Sequence, residues 1–272
     1  MKNKILILGK GFIGSRLREE FDCQLSDARI NTLAEAEEVI KRYSPEIVIN
    51  CIGFIGRSVD DCELHKDKAL TANTFVPIIL SEAALRNNVK LVHISSGCIY
   101  HYDYSLGVPI SEEITPDFLE LYYSRTKIYA ERALEALLSK YPILIARIRV
   151  PLDYRPGPKN ILTKLIEYKK VIDLPNSVTY IPDFVAALKH LIGKQACGIY
   201  NIVNKTPLRY PELLEVYKEY IPDFKYEVID YRKLNLVRTN LVLSTKKLES
   251  TGFKVRDIHE VLGECVRSYI KY

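Results

Sequence analysis

The stretch K-I-L-I-L-G-K-G-F-I-G, residues 4–14, decides the fold of this chain. Its apolar run, Lys4–Leu8, predicts a buried parallel strand, because such strands are covered on both faces. The glycines at Gly9, Gly11 and Gly14 then form G-x-G-x-x-G at the start of a helical pattern. In that setting they permit a tight turn, close approach of the backbone to a pyrophosphate, and packing of the helix on the strand. The stretch predicts a dinucleotide-binding loop, with a purely structural glycine turn as the alternative.

Strand and helix patterns alternate from this loop to about residue 150. Predicted strands follow at Gln24–Leu25, Glu46–Asn50, Val89–Ser95 and Tyr141–Val150. Predicted helices cover Phe12–Phe21, the segment from its N-cap Thr32 to Pro45, Leu64–Asn87 with a break or new first turn at Pro77, and Phe118–Lys140. Five such alternations predict an α/β fold, a Rossmann-like doubly wound parallel sheet.

The pattern changes after Val150, where prolines become frequent and the predicted elements shorten. These elements are Ile161–Tyr168, Phe184–Ile192, Gly198–Val203, Pro211–Tyr220 and Asp257–Tyr272. We therefore expect an NAD(P)-binding Rossmann domain over residues 1–150. A smaller C-terminal substrate-binding lobe over residues 151–272 is expected to return strands or helices to the first domain.

Composition excludes several classes of protein. The 272 residues carry a formal charge of +5, but no run of Lys and Arg could track a nucleic-acid backbone. Apolar runs are far shorter than the ~18 residues that a membrane span needs, and the apolar start is too short for a signal peptide. The six cysteines show no C-x-x-C pair and no histidine at metal spacing, so we expect no metal site. Because no export signal is recognised, we expect reduced thiols and a cytoplasmic location.

The end of the second predicted strand bears on the choice of dinucleotide. Asp27 lies 18 residues after Gly9, and Arg29 follows it closely. An acidic residue there accepts the ribose 2′-hydroxyl of NAD, whereas an arginine pairs with the 2′-phosphate of NADP. We favour NADP(H) slightly and keep NAD(H) as the alternative; both side chains also fit an ordinary loop surface.

Tyr123 and Lys127 are spaced i, i+4 on the long predicted helix, which places both on one face. A neighbouring ammonium stabilises a phenolate, so such a pair can protonate an alkoxide as a hydride arrives. Ser96 follows the strand before that helix, at the edge where open α/β sheets bind their ligands. The order of loop, serine and Tyr/Lys helix favours hydride transfer over the alternative of a surface tyrosine packed on a lysine stem.

Motifs over nearly the whole chain resemble those of an extended short-chain dehydrogenase/reductase. More closely, they resemble the nucleotide-rhamnose synthase/epimerase-reductase family and the related dTDP-4-dehydrorhamnose reductases. The motifs are L-G-K-G-F-I-G-S (8–15), N-C-I-G-F-I-G-R (50–57), S-V-D-D-C-E-L-H-K (58–66), T-A-N (71–73), S-G-C-I-Y-H-Y-D (96–103), Y-S-R-T-K (123–127), R-I-R-V-P (147–151), K-N-I-L-T-K-L (159–165) and L-P-N-S-V-T (174–179).

The resemblance implies a role for five side chains. Ser96, Tyr123 and Lys127 would carry reduction, and Cys98 and Lys164 would carry 3,5-epimerisation. The chemistry is reasonable, because a 4-ketone acidifies the protons at C3 and C5, a thiolate can remove one, and an ammonium can return one. Without the resemblance, Cys98 would be read as a buried apolar residue and Lys164 as a solvated helix residue.

Binding residues follow from the loop positions and from the resemblance. The expected cofactor contacts are Gly9, Gly11, Phe12, Ile13, Gly14, Asp27, Arg29, Cys51, Gly53, Arg57, Asn73, Tyr123 and Lys127. The expected substrate contacts are Arg149, Asn160 and Arg238, the two arginines through a sugar-nucleotide diphosphate. For the arginines in both sets, a plain surface role is the alternative.

Three functions remain in view. The first is a bifunctional 3,5-epimerase/4-ketoreductase that converts an NDP-4-keto-6-deoxyglucose to NDP-L-rhamnose with NAD(P)H. The second is a reductase that acts only on a sugar already epimerised, and the third is a non-catalytic NADP-binding regulatory subunit. The sequence leaves the nucleotide (UDP, dTDP or GDP) and a homodimeric state open.

Overall fold

The computed structural model describes residues 4–233 and 236–272. Its strands are β1 (Ile5–Leu8), β2 (Cys23–Ser26), β3 (Ile47–Asn50), β4 (Lys90–Ser96), β5 (Ile143–Ile148), β6 (Pro151–Leu152), β7 (Lys170–Ile172), β8 (Thr179–Tyr180), β9 (Gly198–Asn201) and β10 (Glu227–Ile229). Its α-helices are α1 (Phe12–Glu20), α2 (Leu33–Tyr43), α3 (Asp61–Leu64), α4 (Lys66–Leu70), α5 (Val76–Arg86), α6 (Tyr122–Glu135), α7 (Ile161–Tyr168), α8 (Ile181–Gly193), α9 (Tyr210–Lys218), α10 (Lys246–Ser250) and α11 (Ile258–Ile270).

A six-stranded sheet in the order β2-β1-β3-β4-β5-β9 confirms the predicted Rossmann-like α/β class. Strand β1 pairs in parallel with β2 on one side and with β3 on the other, and β3 pairs in parallel with β4. The strands therefore continue from β1 to β2 in one direction and from β1 to β3 and β4 in the opposite direction, so the strand order reverses between β1 and β3. Open α/β sheets bind ligands outside the carboxyl ends of the strands at such a switch point.

The described chain forms two compact units. The first contains the residues up to Ile99, Phe118–Arg147 and Ile192–Tyr200, and the second contains Tyr100–Asp117, Ile148–Leu191 and Asn201–Tyr272. The chain thus leaves the sheet unit first for Tyr100–Asp117 and again at Ile148, and it returns to that unit with Ile192–Tyr200, which includes most of β9.

The core of the sheet unit lies between the strands and the helices α2 and α5. Its fully buried members include Leu6, Leu8, Val48, Leu91, Ile145, Ala36, Ile40, Leu80 and Ala84. Burying each large aliphatic side chain contributes about 1.5–3 kcal/mol. Helix α2 begins with the predicted N-cap Thr32, whose hydroxyl accepts from the Glu35 N–H at 3.2 Å while the Glu35 carboxylate accepts from the Thr32 N–H at 3.0 Å.

Several predicted helices differ by a few residues in their bounds, and two differ in a way that the contacts explain. Helix α6 begins at Tyr122, not at Phe118, because the Phe118 N–H donates to the Ile99 carbonyl at 3.1 Å and Leu121 is extended. The predicted helix Leu64–Asn87 is interrupted at His65 and contains a π-helical turn at Thr71–Phe75. Pro77 lies in the first turn of α5, as predicted.

The second unit is built on two short parallel strand pairs, β6 with β8 and β7 with β10. Helices α7, α9 and α11 enclose its core, which includes Leu162, Leu165, Leu213, Leu214, Val261 and Val266. Across residues 4–233 and 236–272, no helix has both the length and the apolar content that crossing a membrane requires. The same residues contain no cluster of three or more His, Cys, Asp or Glu side chains that could hold a metal ion.

Candidate active site and cofactor loop

The glycines of the first loop fall into two kinds. Gly9 has φ +100°, and a Cβ there would lie 2.9 Å from the backbone of Cys51; a Cβ on Gly14 would lie 1.9 Å from the Gly9 carbonyl oxygen. These two glycines are therefore required by the packing of β1, α1 and the end of β3. Gly11, in contrast, has no atom of the described residues within 4 Å of where its Cβ would be. It leaves open space at the N-terminus of α1.

Gly11 is the N-cap of α1, and its lack of a side chain leaves the first N–H groups of the helix without a side-chain acceptor. Such a helix end attracts anions through free N–H groups and the positive end of the helix dipole. Phe12 and Ile13 follow in the first turn, and both are half-buried. The open cradle at the switch point fits the pyrophosphate of a dinucleotide.

The end of β2 holds an ion pair that sequence reasoning missed. Lys10, the variable residue of G-K-G, donates to Asp27 at 2.9 Å. This hydrogen bond, together with backbone donation, lowers the pKa of the exposed Asp27 carboxyl. Arg29 is exposed two residues further on. The end of β2 thus holds both kinds of group. The Asp27 carboxylate could accept a ribose 2′-hydroxyl, and the Lys10 and Arg29 cations could bind a 2′-phosphate.

The segment after β3 lies against the glycine loop, since a Cβ on Gly9 would be 2.9 Å from the backbone of Cys51. Burial raises the pKa of the Cys51 thiol to about 12, so this cysteine remains protonated. A Cβ on Gly53 would lie 3.2 Å from Asn73 Oδ1 and 3.7 Å from Lys127 Nζ, so both side chains lie close to this glycine. Arg57 is exposed, and its N–H donates to Asp61 at 2.8 Å.

Asn73 fastens this segment to α6. Its Oδ1 accepts from the Phe54 N–H at 2.8 Å, and its Nδ2 donates to the Phe54 carbonyl at 2.9 Å and to Thr126 Oγ1 at 3.2 Å. The residue is fully buried in the π-helical turn, a conformation often found at functional sites. Asn73 therefore holds the segment after β3 against α6 rather than presenting a free amide.

Tyr123 and Lys127 lie on the buried face of α6 and are 9% and 5% exposed. Burial lowers the pKa of Lys127 to about 8, and the nearby carboxylate of Glu131 is the largest influence that opposes this fall. At neutral pH the side chain is therefore mainly an ammonium, with a proton that is less tightly held than in an exposed lysine. The predicted face of the helix is confirmed.

Ser96 and Cys98 lie at the carboxyl end of β4, in the same unit as α6. Ser96 Oγ accepts from the Cys98 N–H at 3.2 Å, and the Cys98 carbonyl accepts from Ser124 Oγ at 2.5 Å. Cys98 packs in one apolar cluster with Tyr123 and Cys62, and its thiol is among the groups that influence Lys127. The structure thus brings Ser96, Cys98, Tyr123 and Lys127 together.

Two buried polar groups behind this site escaped sequence reasoning. His93 Nδ1 accepts from Asn50 Nδ2 at 3.2 Å, and burial with the nearby Lys127 charge keeps its pKa well below the ordinary value. Glu131, which is bound by Arg147 and Ser95, is the second. Its spacing gave a signal, because Tyr123, Lys127 and Glu131 succeed one another at steps of four residues.

The remaining predicted site residues lie in the second unit. Arg149 is 2% exposed; it donates to Asn176 Oδ1 at 3.0 and 3.1 Å and to Thr239 Oγ1 at 2.9 Å. The buried Asn160 caps α7, accepting from the Leu162 N–H at 3.1 Å. The observed bonds show Arg149 and Asn160 holding neighbouring segments, and substrate contact by either remains a prediction.

Lys164 on α7 and Arg238 are both half-buried. Partial burial lowers the pKa of Lys164, and the neighbouring Arg238 charge lowers it further. The second unit therefore presents two cations near each other, one of which gives up its proton more readily than an exposed lysine. This arrangement suits an anionic ligand or a proton donor.

Comparison with known proteins agrees with this geometry. Residues 3–205 match the family described as RmlD substrate binding domain. A bifunctional dTDP-4-dehydrorhamnose 3,5-epimerase/dTDP-4-dehydrorhamnose reductase of Arabidopsis thaliana is 30% identical, over 94% of this chain and 90% of its own.

Two solved structures share the fold. A UDP-rhamnose synthase from Acanthamoeba polyphaga mimivirus has a TM-score of 0.90 at 23% identity, covering 98% of this chain and 100% of its own. A dTDP-4-dehydrorhamnose reductase from Bacillus anthracis, solved with NADP, has a TM-score of 0.84 at 21% identity, covering 100% of both chains. With the family match spanning most of its length, this chain belongs to the RmlD substrate-binding-domain family.

Proposed function

We propose that this protein is an NADP(H)-dependent 4-ketoreductase of a nucleotide-linked 4-dehydrorhamnose, and that it also epimerises the sugar at C3 and C5 before reduction. The observation that carries the reductase part is the buried Tyr123–Lys127 face of α6 beside Ser96, in the unit that contains the open glycine loop. The names of the Arabidopsis and mimivirus relatives support a dTDP- or UDP-linked rhamnose precursor as substrate.

The residues of the first loop fit a dinucleotide, because a Cβ at Gly11 would fill the space that the phosphates need. A bound nicotinamide supplies the hydride to C4 of the sugar. The Bacillus anthracis structure with NADP supports NADP(H) as the cofactor, and NAD(H) stays the alternative because of Asp27.

In the proposed reduction, Ser96 Oγ and the Tyr123 hydroxyl donate hydrogen bonds to the C4 carbonyl oxygen. As the carbonyl carbon gains a hydride, the oxygen becomes an alkoxide and takes the proton of Tyr123. The Lys127 ammonium stabilises the phenolate that remains, and solvent then reprotonates it. Lys127 suits this task at neutral pH because its pKa of about 8 keeps it charged.

Oxidation of NADPH with UDP- or dTDP-4-keto-6-deoxyglucose, without added epimerase, tests the proposal. Tyr123→Phe should lower kcat by about 10²–10⁴-fold, the usual effect of losing a positioned general acid, with dinucleotide binding nearly unchanged. The matched control is Tyr122→Phe on the same helix, which should retain wild-type turnover. A Tyr123→Phe protein that turns over like wild type would exclude the role, and a wild type without turnover would favour the regulatory subunit.

For the epimerase part, we propose that Cys98 removes the C3 and C5 protons and that Lys164 returns them. The site supports this, because Cys98 packs against the cluster that contains Tyr123 and its thiol is close enough to Lys127 to act on that side chain. The lowered pKa of Lys164 suits a proton donor. A cytoplasmic location and a homodimeric state stay predictions.

Deuterium uptake separates the bifunctional enzyme from a plain reductase, since proton exchange needs no hydride. In heavy water with oxidised cofactor, the wild type should place deuterium at both carbons of the 4-keto sugar. Cys98→Ser should lose most of this exchange and still reduce a pre-epimerised sugar. Cys62→Ser is the control, because a hydroxyl can keep the bond from Cys62 to the Phe54 carbonyl. Absence of exchange in the wild type would make the protein a reductase only.

A further inference from the structure

Behind the catalytic face of α6 lies a charged network with almost no contact with solvent. Arg147 Nε donates to Glu131 Oε2 at 2.9 Å, and Arg147 Nη2 donates to the same oxygen at 2.5 Å. Ser95 Oγ donates to Glu131 Oε1 at 2.5 Å. All three residues are 3% exposed or less. Placing an ion pair this deep is costly in desolvation, so the pair is weak evidence for stability alone.

The network connects the parts that carry the proposed chemistry. Glu131 lies one helical turn after Lys127 and two turns after Tyr123, on the same face of α6. Ser95 is the neighbour of Ser96 at the end of β4, and Arg147 belongs to β5. One carboxylate thus fixes the helix with the Tyr/Lys pair against the strand end with the carbonyl-binding serine.

The charge of Glu131 also matters for Lys127. The titratable groups that act on the Lys127 ammonium are Glu131 on α6, Cys62 on α3, Cys51 after β3, Cys98 after β4 and His93 on β4. The thiol of Cys51 and the ring of His93 are neutral at pH 7, since burial moves their pKa values in that direction. Among these neighbours, Glu131 supplies the largest influence that favours the ammonium.

We propose that Glu131 is a positioning residue for the reduction: it sets the register of α6 against β4 and keeps Lys127 protonated. The proposal rests on the proposed reductase function for its role in turnover, but its electrostatic part concerns the protein without substrate. The reducing form needs both the Tyr123 proton and the Lys127 proton. Loss of either proton makes the pair less positive, and a nearby carboxylate opposes that loss. Removing the carboxylate should therefore lower the pH at which the pair loses a proton.

The test is Glu131→Gln, which keeps the size of the side chain and removes its charge. The alkaline limb of the kcat/KM pH profile should move down by about one pH unit, the effect expected from a close opposite charge. The pKa of Lys127, followed by NMR of ¹³Cε-labelled lysine in the cofactor-free protein and assigned with Lys127→Met, should fall in the same direction. Glu135→Gln, on an exposed turn of the same helix, should leave both unchanged.

Glu131→Gln leaves Arg147 buried without its carboxylate and can fail to fold. The double variant Glu131→Gln/Arg147→Gln removes both charges, and its shift should keep the same sign with a smaller size. A folded variant whose turnover falls but remains measurable, while the alkaline limb and the Lys127 pKa stay in place, would overturn the proposal and leave a purely structural network. If the wild type has no turnover, the proposed function fails, whereas the Lys127 titration still decides the role of Glu131.

Discussion

Substituting the two kinds of glycine in the first loop separates folding from cofactor binding. In Gly14→Ala, the new Cβ would lie 1.9 Å from the Gly9 carbonyl oxygen, roughly 1.5 Å inside ordinary contact. The Gly9 oxygen belongs to the backbone and the new Cβ is bonded directly to the backbone of α1, so α1 must shift away from the loop. Overpacking of this kind costs about 1–3 kcal/mol, and a clash with backbone belongs at the upper end. For a chain of this size, 3 kcal/mol corresponds to a fall in Tm of roughly 6–12 °C.

Gly11→Ala is the matched control, because its Cβ would meet no atom within 4 Å. Alanine is a poorer N-cap than glycine, so we expect a loss of only about 0.5–1 kcal/mol in folding stability. The methyl group would occupy the space next to the phosphates, and NADPH affinity should fall at least ~10-fold, since the second glycine permits backbone approach.

Thermal unfolding without cofactor and calorimetric titration with NADPH measure the two effects. If Gly14→Ala were as stable as the wild type, the close packing of α1 on the loop would be contradicted. If Gly11→Ala bound NADPH as tightly as the wild type, the phosphate site would be contradicted and the loop would be a structural turn.

The remaining predictions concern cofactor choice and pH dependence. Arg29→Ala should weaken NADPH binding by about 1.5–3 kcal/mol and leave NADH binding unchanged, because the lost bonds reach a charged phosphate; a wild type that prefers NADH would instead make Asp27 the reader of the ribose. Partial burial lowers the pKa of His259, but hydrogen bonds to Asp257 and Glu212 outweigh it, so the pKa rises overall. The stabilisation by His259 should therefore be complete below its ordinary pKa of about 6.5 and disappear as pH rises through the raised value. The measurement is the free energy of unfolding of wild type and of His259→Gln at pH 5.5 and at pH 8.5. The difference between the two proteins should be larger at pH 5.5, and an equal difference at both pH values would contradict the raised pKa of His259.

Features with a repeating pattern were predictable from the sequence. The apolar runs at Ile5–Leu8 and Ile47–Asn50 lie in the sheet, and Thr32 caps α2 as its side chain predicts. The face of α6 that carries Tyr123 and Lys127 was predictable for the same reason, because a step of four residues fixes which side chains share one side of a helix. Short-range chemistry decides these features.

Features that depend on distant partners were not predictable. The start of α6 depends on a bond from Phe118 to Ile99, and the charge at the end of β2 depends on Lys10 reaching Asp27. The element at β9 and a return of the chain to the first domain were expected, but the position of β9 next to β5 follows a long excursion through the second unit. No local pattern marks these contacts, since each joins segments that only the folded chain brings together.

The Tyr-x-x-x-Lys spacing also shows how little of the chemistry a motif contains. Any exposed helix with this spacing brings a phenol near an ammonium, but water would screen the charge and leave the phenol an ordinary weak acid. Burial removes the screening and at the same time makes the ammonium less favourable, as the pKa of about 8 shows. A carboxylate on the next turn resolves this conflict, because it supports the charged lysine without reaching the substrate. On this argument, we expect Tyr123 and Lys127 to act together with Glu131, and with Arg147 behind it, rather than as an isolated pair.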